Sequence, residues 1–149
     1  GEVIKIKLEL DDNPPAYATF ERKYRLLPAP YEVNLYDLPS LFSGKIHAVL
    51  CRSWQKRVKG RDLYDYVFYL SKKVSFNHKH FVERVKETNS CKDEVLDLSG
   101  IKNLLCERFD QIDYVSARKD VEPFIKDSSM LDLWSADFFK SITEALTSI

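Results

Sequence analysis

The sequence predicts an α+β fold, with a short mixed or antiparallel sheet at the N-terminus followed by a bundle of about five or six helices. Two observations carry this prediction. Alternation of apolar and polar residues at a period of two is confined to residues 1–37, and from residue 38 onward apolar residues recur at spacings of three and four. Strands that come first and helices that follow suggest a helical portion (38–149) packed at one end of a small sheet (1–37), the two forming one compact unit.

From Ile4 to Leu10, Ile4, Ile6, Leu8 and Leu10 alternate with Lys5, Lys7 and Glu9, which predicts a half-buried strand with Glu9 on its polar face. "DDNPP" ends it, because consecutive prolines remove ladder donors. "YATFERKYRLL" reads as a second strand, and "YEVNLYD", with Tyr31, Val33 and Leu35 on one side, as a third. Leu41, Phe42, Lys45, Ile46, Val49 and Leu50 then mark the first helix, with Ser40 available as its N-cap. Further helices are expected over "RDLYDYVFYLSKK", "HKHFVERVKETN", "SGIKNLLCERFDQI", "YVSARKDVEPFI", where Pro123 interrupts, and "SADFFKSITEAL", where Ser135 serves as N-cap.

Composition narrows the function. The chain has 149 residues, 44% of them apolar, enough for one folded domain with a contiguous core. Lys+Arg and Asp+Glu both number 23, so a uniformly basic nucleic-acid binder is excluded and any polyanion site must be a local patch. Cys51, Cys91 and Cys106 form no C-x-x-C pair, which argues against a disulfide framework or zinc knuckle and for reduced thiols in a cytoplasmic protein. No apolar stretch is long enough to span a membrane, and the start does not resemble a signal peptide. The chain lacks an initiator Met and enters a strand pattern at once, so it is expected to be the latter part of a longer protein.

Several residues are suited to phosphate chemistry. Glu9 would sit at a fixed place on a strand, where a carboxylate can coordinate Mg²⁺, although a solvated face of alternating charges is the simpler explanation. Lys45 lies between apolar neighbours on its helix and suits a triphosphate as a point charge; a lysine whose stem covers the core is the plainer alternative. His47 faces roughly away from Lys45 and reads as structural, and His78 and His80 have no partners at ligand spacing, so a surface loop or helix start is expected there. In "KGRDLYD", Asp62 and Asp65 are neighbours at i and i+3 on the face that Tyr66 and Tyr69 extend. Acids there favour the helix dipole, but Lys59 and Arg61 do not, so a phosphate ligand or a buried ion-pair network would have to explain those cations.

The ordered set "IKLEL", "SLFSGKIHAVLCR", "KGRDLYD" and, later, "ARKDVEPFI" and "LDLWSADFF" resembles the AbiEii/AbiGii nucleotidyltransferase toxins of the polymerase-β-like superfamily, over nearly the whole chain. The resemblance implies Mg²⁺-dependent transfer of a nucleotide from a nucleoside triphosphate to an acceptor, transfer RNA in some relatives. It also implies a cytoplasmic bacterial toxin, active in toxin–antitoxin or phage-defence systems and paired with an antitoxin. By the same resemblance, Glu9 is similar to the strand acid that follows the metal-binding pair, Lys45 to the lysine that contacts nucleotide phosphates, Asp62 to the carboxylate that engages the acceptor hydroxyl, and Asp65 to its companion. Arg52, Lys59 and Arg61 are then candidate phosphate contacts, and Lys56, Arg57, Lys59 and Arg61 a candidate basic groove for RNA. The family's opening glycine-glycine-Ser/Thr turn and paired acids are missing from this sequence, which has no "GG" or "GS". The chain alone is therefore expected to be catalytically inert, its partner being an antitoxin or a missing N-terminal half. The alternative is a non-catalytic binding or assembly module with the same fold.

Overall fold

The computed structural model describes residues 5–52, 58–90 and 96–149. Two strands, β1 (Phe20–Arg25) and β2 (Tyr31–Tyr36), pair antiparallel from Phe20 opposite Tyr36 to Arg25 opposite Tyr31. Six α-helices follow among the described residues: α1 (Leu38–Cys51), α2 (Gly60–Ser71), α3 (His78–Thr88), α4 (Leu98–Asp110), α5 (Tyr114–Val121) and α6 (Ala136–Thr143). The expected α+β layout is therefore what the chain adopts. Pro123 ends α5 as expected, since the chain passes into a 3₁₀ turn over Glu122–Phe124.

The first predicted strand is not formed. Residues 5–10 have no strand conformation, and Ile6, Leu8 and Leu10 are 83%, 92% and 95% exposed. A strand needs a neighbour for its backbone groups, and among the described residues β1 and β2 pair only with each other. Ile4 and Cys91 lie outside the described residues.

Local chemistry explains where the helices start. Asp37, Asn77, Asp97, Asp113 and Ser135 each accept hydrogen bonds from first-turn amides of α1, α3, α4, α5 and α6. Ser40, the expected cap of α1, instead lies inside the first turn: its N–H donates to Asp37 Oδ1 at 2.9 Å, and its Oγ accepts from Thr19 N–H at 2.8 Å. The helix α2 differs, because Lys59 offers it no side-chain cap and Asp62 in its first turn faces the dipole instead.

Helix α1 packs on α3 and α2, α2 on α5, and α4 on α6. The core between them holds Phe42 and Ile46 of α1, Leu63 and Tyr66 of α2, Phe81 of α3, Phe109 of α4 and Phe139 of α6, all fully buried. Asn77 joins the N-terminal segment to this body. Its Oδ1 caps α3, its Nδ2 donates to the Tyr17 carbonyl at 2.8 Å, and its own carbonyl accepts from Ser43 Oγ at 2.7 Å. His80, expected at a surface loop or helix start, is at the start of α3 but buried, and its ring Nδ1–H donates to the Ala16 carbonyl at 2.9 Å.

Candidate active site

The site is built where the C-terminal half of α1 crosses the first turns of α2. Glycine at position 60 seats α2 on its other neighbour: a Cβ there would lie 2.0 Å from the Ala117 carbonyl oxygen and 2.8 Å from Val121 Cγ2, so α2 meets α5 backbone to backbone. On the side of α2 that meets α1 stand Asp62 and Asp65.

Two cross-helix ion pairs then form. Arg52 Nη1 donates to Asp62 Oδ2 at 2.7 Å, and Lys45 Nζ lies 2.6 Å from Asp65 Oδ2. Lys45 is thus surrounded by charges, not isolated among apolar neighbours as its helix suggested, because α2 brings its carboxylates to it. Arg108 of α4 fixes the end of α1, donating from Nε to the Val49 carbonyl at 3.1 Å and from Nη2 to the Arg52 carbonyl at 2.9 Å.

The two carboxylates differ. The Asp62 side chain is 8% exposed and that of Asp65 35%. Burial raises the Asp62 carboxyl above its ordinary value; Arg52 and Lys45 offset this in part, and the Asp65 charge adds to it. Asp62 is therefore a stronger proton acceptor than an exposed aspartate, and it is held in one orientation by Arg52.

The remaining cations divide. Arg61 lies over the Phe124 ring at 5.5 Å and places Nε 3.9 Å from Oδ2 of the buried Asp120, so an ion pair with α5 and a cation–π contact with the 3₁₀ turn after it account for this cation at a helix start. The Lys59 side chain has no ion-pair or hydrogen-bond partner among the described residues, its carbonyl accepting from Asp62 N–H at 2.9 Å. Lys45, Arg52, Lys59, Arg61, Asp62 and Asp65 line a recess of about 230 Å³, with four cations against two carboxylates. A larger cavity of about 500 Å³ shares Lys45, Arg52 and Asp62 with it and extends past Gly44 and Arg84 to Tyr36, Leu41, Pro14 and Pro15. Lys56 and Arg57 lie outside the described residues.

Glu9 is remote from this arrangement in kind. It is on an exposed irregular segment, and its carboxylate pairs with Lys7. Among the described residues no group of three or more His, Cys, Asp and Glu side chains could hold a metal ion.

Sequence reasoning missed Arg84 and Arg108. Both sit beside buried positions of their helices, Val85 and Phe109, and a cation next to such a position was the available signal. Asp120, within "ARKDVEPFI", is buried and faces Arg61.

A family model described as nucleotidyl transferase AbiEii toxin, type IV TA system, matches residues 1–144. Comparison with curated proteins finds no match, and comparison with solved structures finds none either. Among the described residues, no helix is long and apolar enough to cross a membrane.

Proposed function

The chain belongs to the AbiEii nucleotidyltransferase toxin family of type IV toxin–antitoxin systems, and from that membership we propose that the corner between α1 and α2 handles the polyphosphate of a nucleoside triphosphate and the hydroxyl of its acceptor. The observation that carries this reading is the buried Asp62 carboxylate, its proton affinity raised, held by Arg52 in a recess where cations outnumber carboxylates. Lys45 and Arg52 are the phosphate contacts. Lys59, Arg61 and the uncapped amides at the start of α2 add to the positive field at the rim.

The chemistry follows from the pairing. An incoming polyphosphate competes with Asp65 for Lys45 and with Asp62 for Arg52, and Asp62, relieved of its guanidinium, becomes a free base. The acceptor oxygen bonds to the α-phosphorus, the bond to the bridging oxygen breaks, pyrophosphate leaves, and the hydroxyl proton passes to Asp62. Magnesium belongs to the same family-level expectation, but the described residues do not fit it: Asp62 and Asp65 are each held by a cation and Glu9 is paired with Lys7. The charge neutralisation supplied by this chain is that of Lys45 and Arg52. As acceptor we assign an RNA hydroxyl, in keeping with a transfer RNA substrate, and as protein partner an antitoxin.

The test is made in the whole protein. Lys45→Ala should weaken nucleoside triphosphate binding about 10-fold or more, and Asp62→Asn should lower transfer about 100-fold or more with binding retained. Binding and transfer unchanged in both variants would remove the assignment and favour a non-catalytic assembly module. The exposed Ile6, Leu8 and Leu10 are the observation on that side.

A further inference from the structure

We propose that Arg84, on α3, is a further phosphate contact, so that the nucleotide's polyphosphate lies along α1 between Gly44 and Arg52. This inference rests on the nucleotidyl-transfer reading of the same site and adds a third helix to it.

Three observations place Arg84 in that role. Its Nε is buried without a hydrogen-bond partner, and the guanidinium forms no ion pair among the described residues. Lys45 and Arg52 each hold a carboxylate, whereas Arg84 is paired with none among the described residues, although Asp11 also lines the cavity. A buried guanidinium N–H left unbonded is costly, and a phosphate group, with several acceptor oxygens, satisfies it.

Position agrees with chemistry. The Arg84 guanidinium lies against the bare backbone of α1 at Gly44, where a Cβ would meet Cζ at 3.8 Å. Gly44, Lys45, Ala48 and Arg52 follow one another along the stripe of α1 that lines the cavity. At 1.5 Å per residue, Gly44 to Arg52 spans about 12 Å of helix, a length suited to a chain of phosphates. The rest of the lining, Tyr36, Leu41, Pro14 and Pro15 beside Ser40, His80 and the Asp11 carboxylate, offers a base both apolar surface and hydrogen-bonding groups.

His47 supplies a reporter that does not depend on activity. Its ring is half-buried on α1 and bonds Thr88 Oγ1 at 3.0 Å, and burial with the Arg84 and Arg52 charges lowers its pKa to about 4. An anion that neutralises Arg84 removes one of the causes that lower it.

The experiment titrates the whole protein with nucleoside triphosphate, with inorganic tripolyphosphate and with nucleoside. It follows affinity by calorimetry and His47 by NMR, with thermal melts of each variant as a folding control. Arg84→Gln should weaken both phosphate ligands about 10-fold or more and leave the nucleoside unaffected. Arg84→Lys should recover part of the loss, because it restores the charge without the planar fork. Tripolyphosphate should raise the His47 pKa in the parent protein and do so less in Arg84→Gln. If Lys45→Ala loses binding and Arg84→Gln does not, Arg84 is no phosphate contact and the wider reading stands. If tripolyphosphate binds and moves His47 but the nucleoside triphosphate does no better, Arg84 keeps its role and the nucleotide assignment fails. If neither ligand binds the parent protein, both fall. Should Arg84→Gln unfold, Arg84→Lys and the His47 shift in the parent protein decide: affinity in Arg84→Lys equal to the parent's, with no His47 shift, overturns the proposal.

Discussion

Asp62 and Glu9 are both acids, and they end in opposite surroundings. Asp62 stands in the first turn of a helix pressed against α5, buried, with Arg52 on its Oδ2. Glu9 stands on a segment with no neighbouring strand among the described residues, 74% exposed at its side chain and paired only with a nearby lysine. The difference lies in what holds the backbone. A helix satisfies its own amides and then needs only one apolar face to dock, whereas an extended segment takes its geometry from whatever pairs with it. Fixed position belongs to the α1–α2 corner, and it is what the chemistry proposed there would require.

The strongest way to break this comparison is to push that corner apart. Gly60→Ala puts a methyl group 2.0 Å from the Ala117 carbonyl oxygen, which is backbone and cannot rotate away. We expect a loss of about 3 kcal/mol or more in denaturant unfolding. Gly44→Ala is the control on the same site, because its nearest neighbour is 3.8 Å away and belongs to a flexible arginine. It should be neutral or stabilising by up to about 1 kcal/mol from helix propensity. Equal losses at the two glycines would show that α2 does not rest on α5 as described.

The next effect concerns pH. The His47 pKa falls from 6.5 in the unfolded chain to about 4 in the fold, through burial and the Arg84 and Arg52 charges. Between those values the unfolded state takes up a proton that the native state refuses, so this contribution is whole above pH 6.5 and lost as pH falls toward 4. The shift corresponds to at most about 3 kcal/mol, and to roughly half that for a partly solvated ring. His47→Gln, which keeps a partner for Thr88, should flatten the stability profile across this window. A slope unchanged by the substitution would mean that His47 titrates normally beside the two arginines.

Tyr66 tests the buried side of α2 more gently. Its hydroxyl is 2.8 Å from Thr143 Oγ1, and Thr143 already donates to the Phe139 carbonyl, so Tyr66 is the donor. Tyr66→Phe removes that bond but keeps the ring packing, and should cost about 1 kcal/mol in thermal unfolding.

What could be read from the sequence follows the same division. The six helices among the described residues are legible in the sequence, because period and punctuation are local: Ser135 caps as its position predicts, and Asn77, Asp97 and Asp113 cap by the same chemistry. The first strand was not, since alternation over residues 4–10 describes a surface a strand could have without saying whether another strand lies beside it. In the site, Asp62 and Asp65 were placed together by their spacing on one helix. Their partners were not, because Arg52, Lys45 and Arg108 reach them or the end of α1 only through tertiary packing. Arg61 shows the limit most plainly: a cation that looked misplaced at a helix start is matched by Asp120, which is invisible until α5 docks.

Glu9 carries the smallest expected effect and the sharpest use of it. Its ion pair with Lys7 is fully solvated, and such pairs contribute little. Glu9→Gln should therefore change stability by less than about 0.5 kcal/mol, within the error of a melting curve. Asp62→Asn is its counterpart, leaving Arg52 without its carboxylate at a site where desolvation is already strong. If both acids belong to one transfer site, the two variants should both depress transfer in the whole protein, while only the second alters the unfolding curve. If Glu9→Gln leaves transfer untouched as well, the site is the α1–α2 corner alone, and the segment from residue 5 to residue 10 lends it no carboxylate.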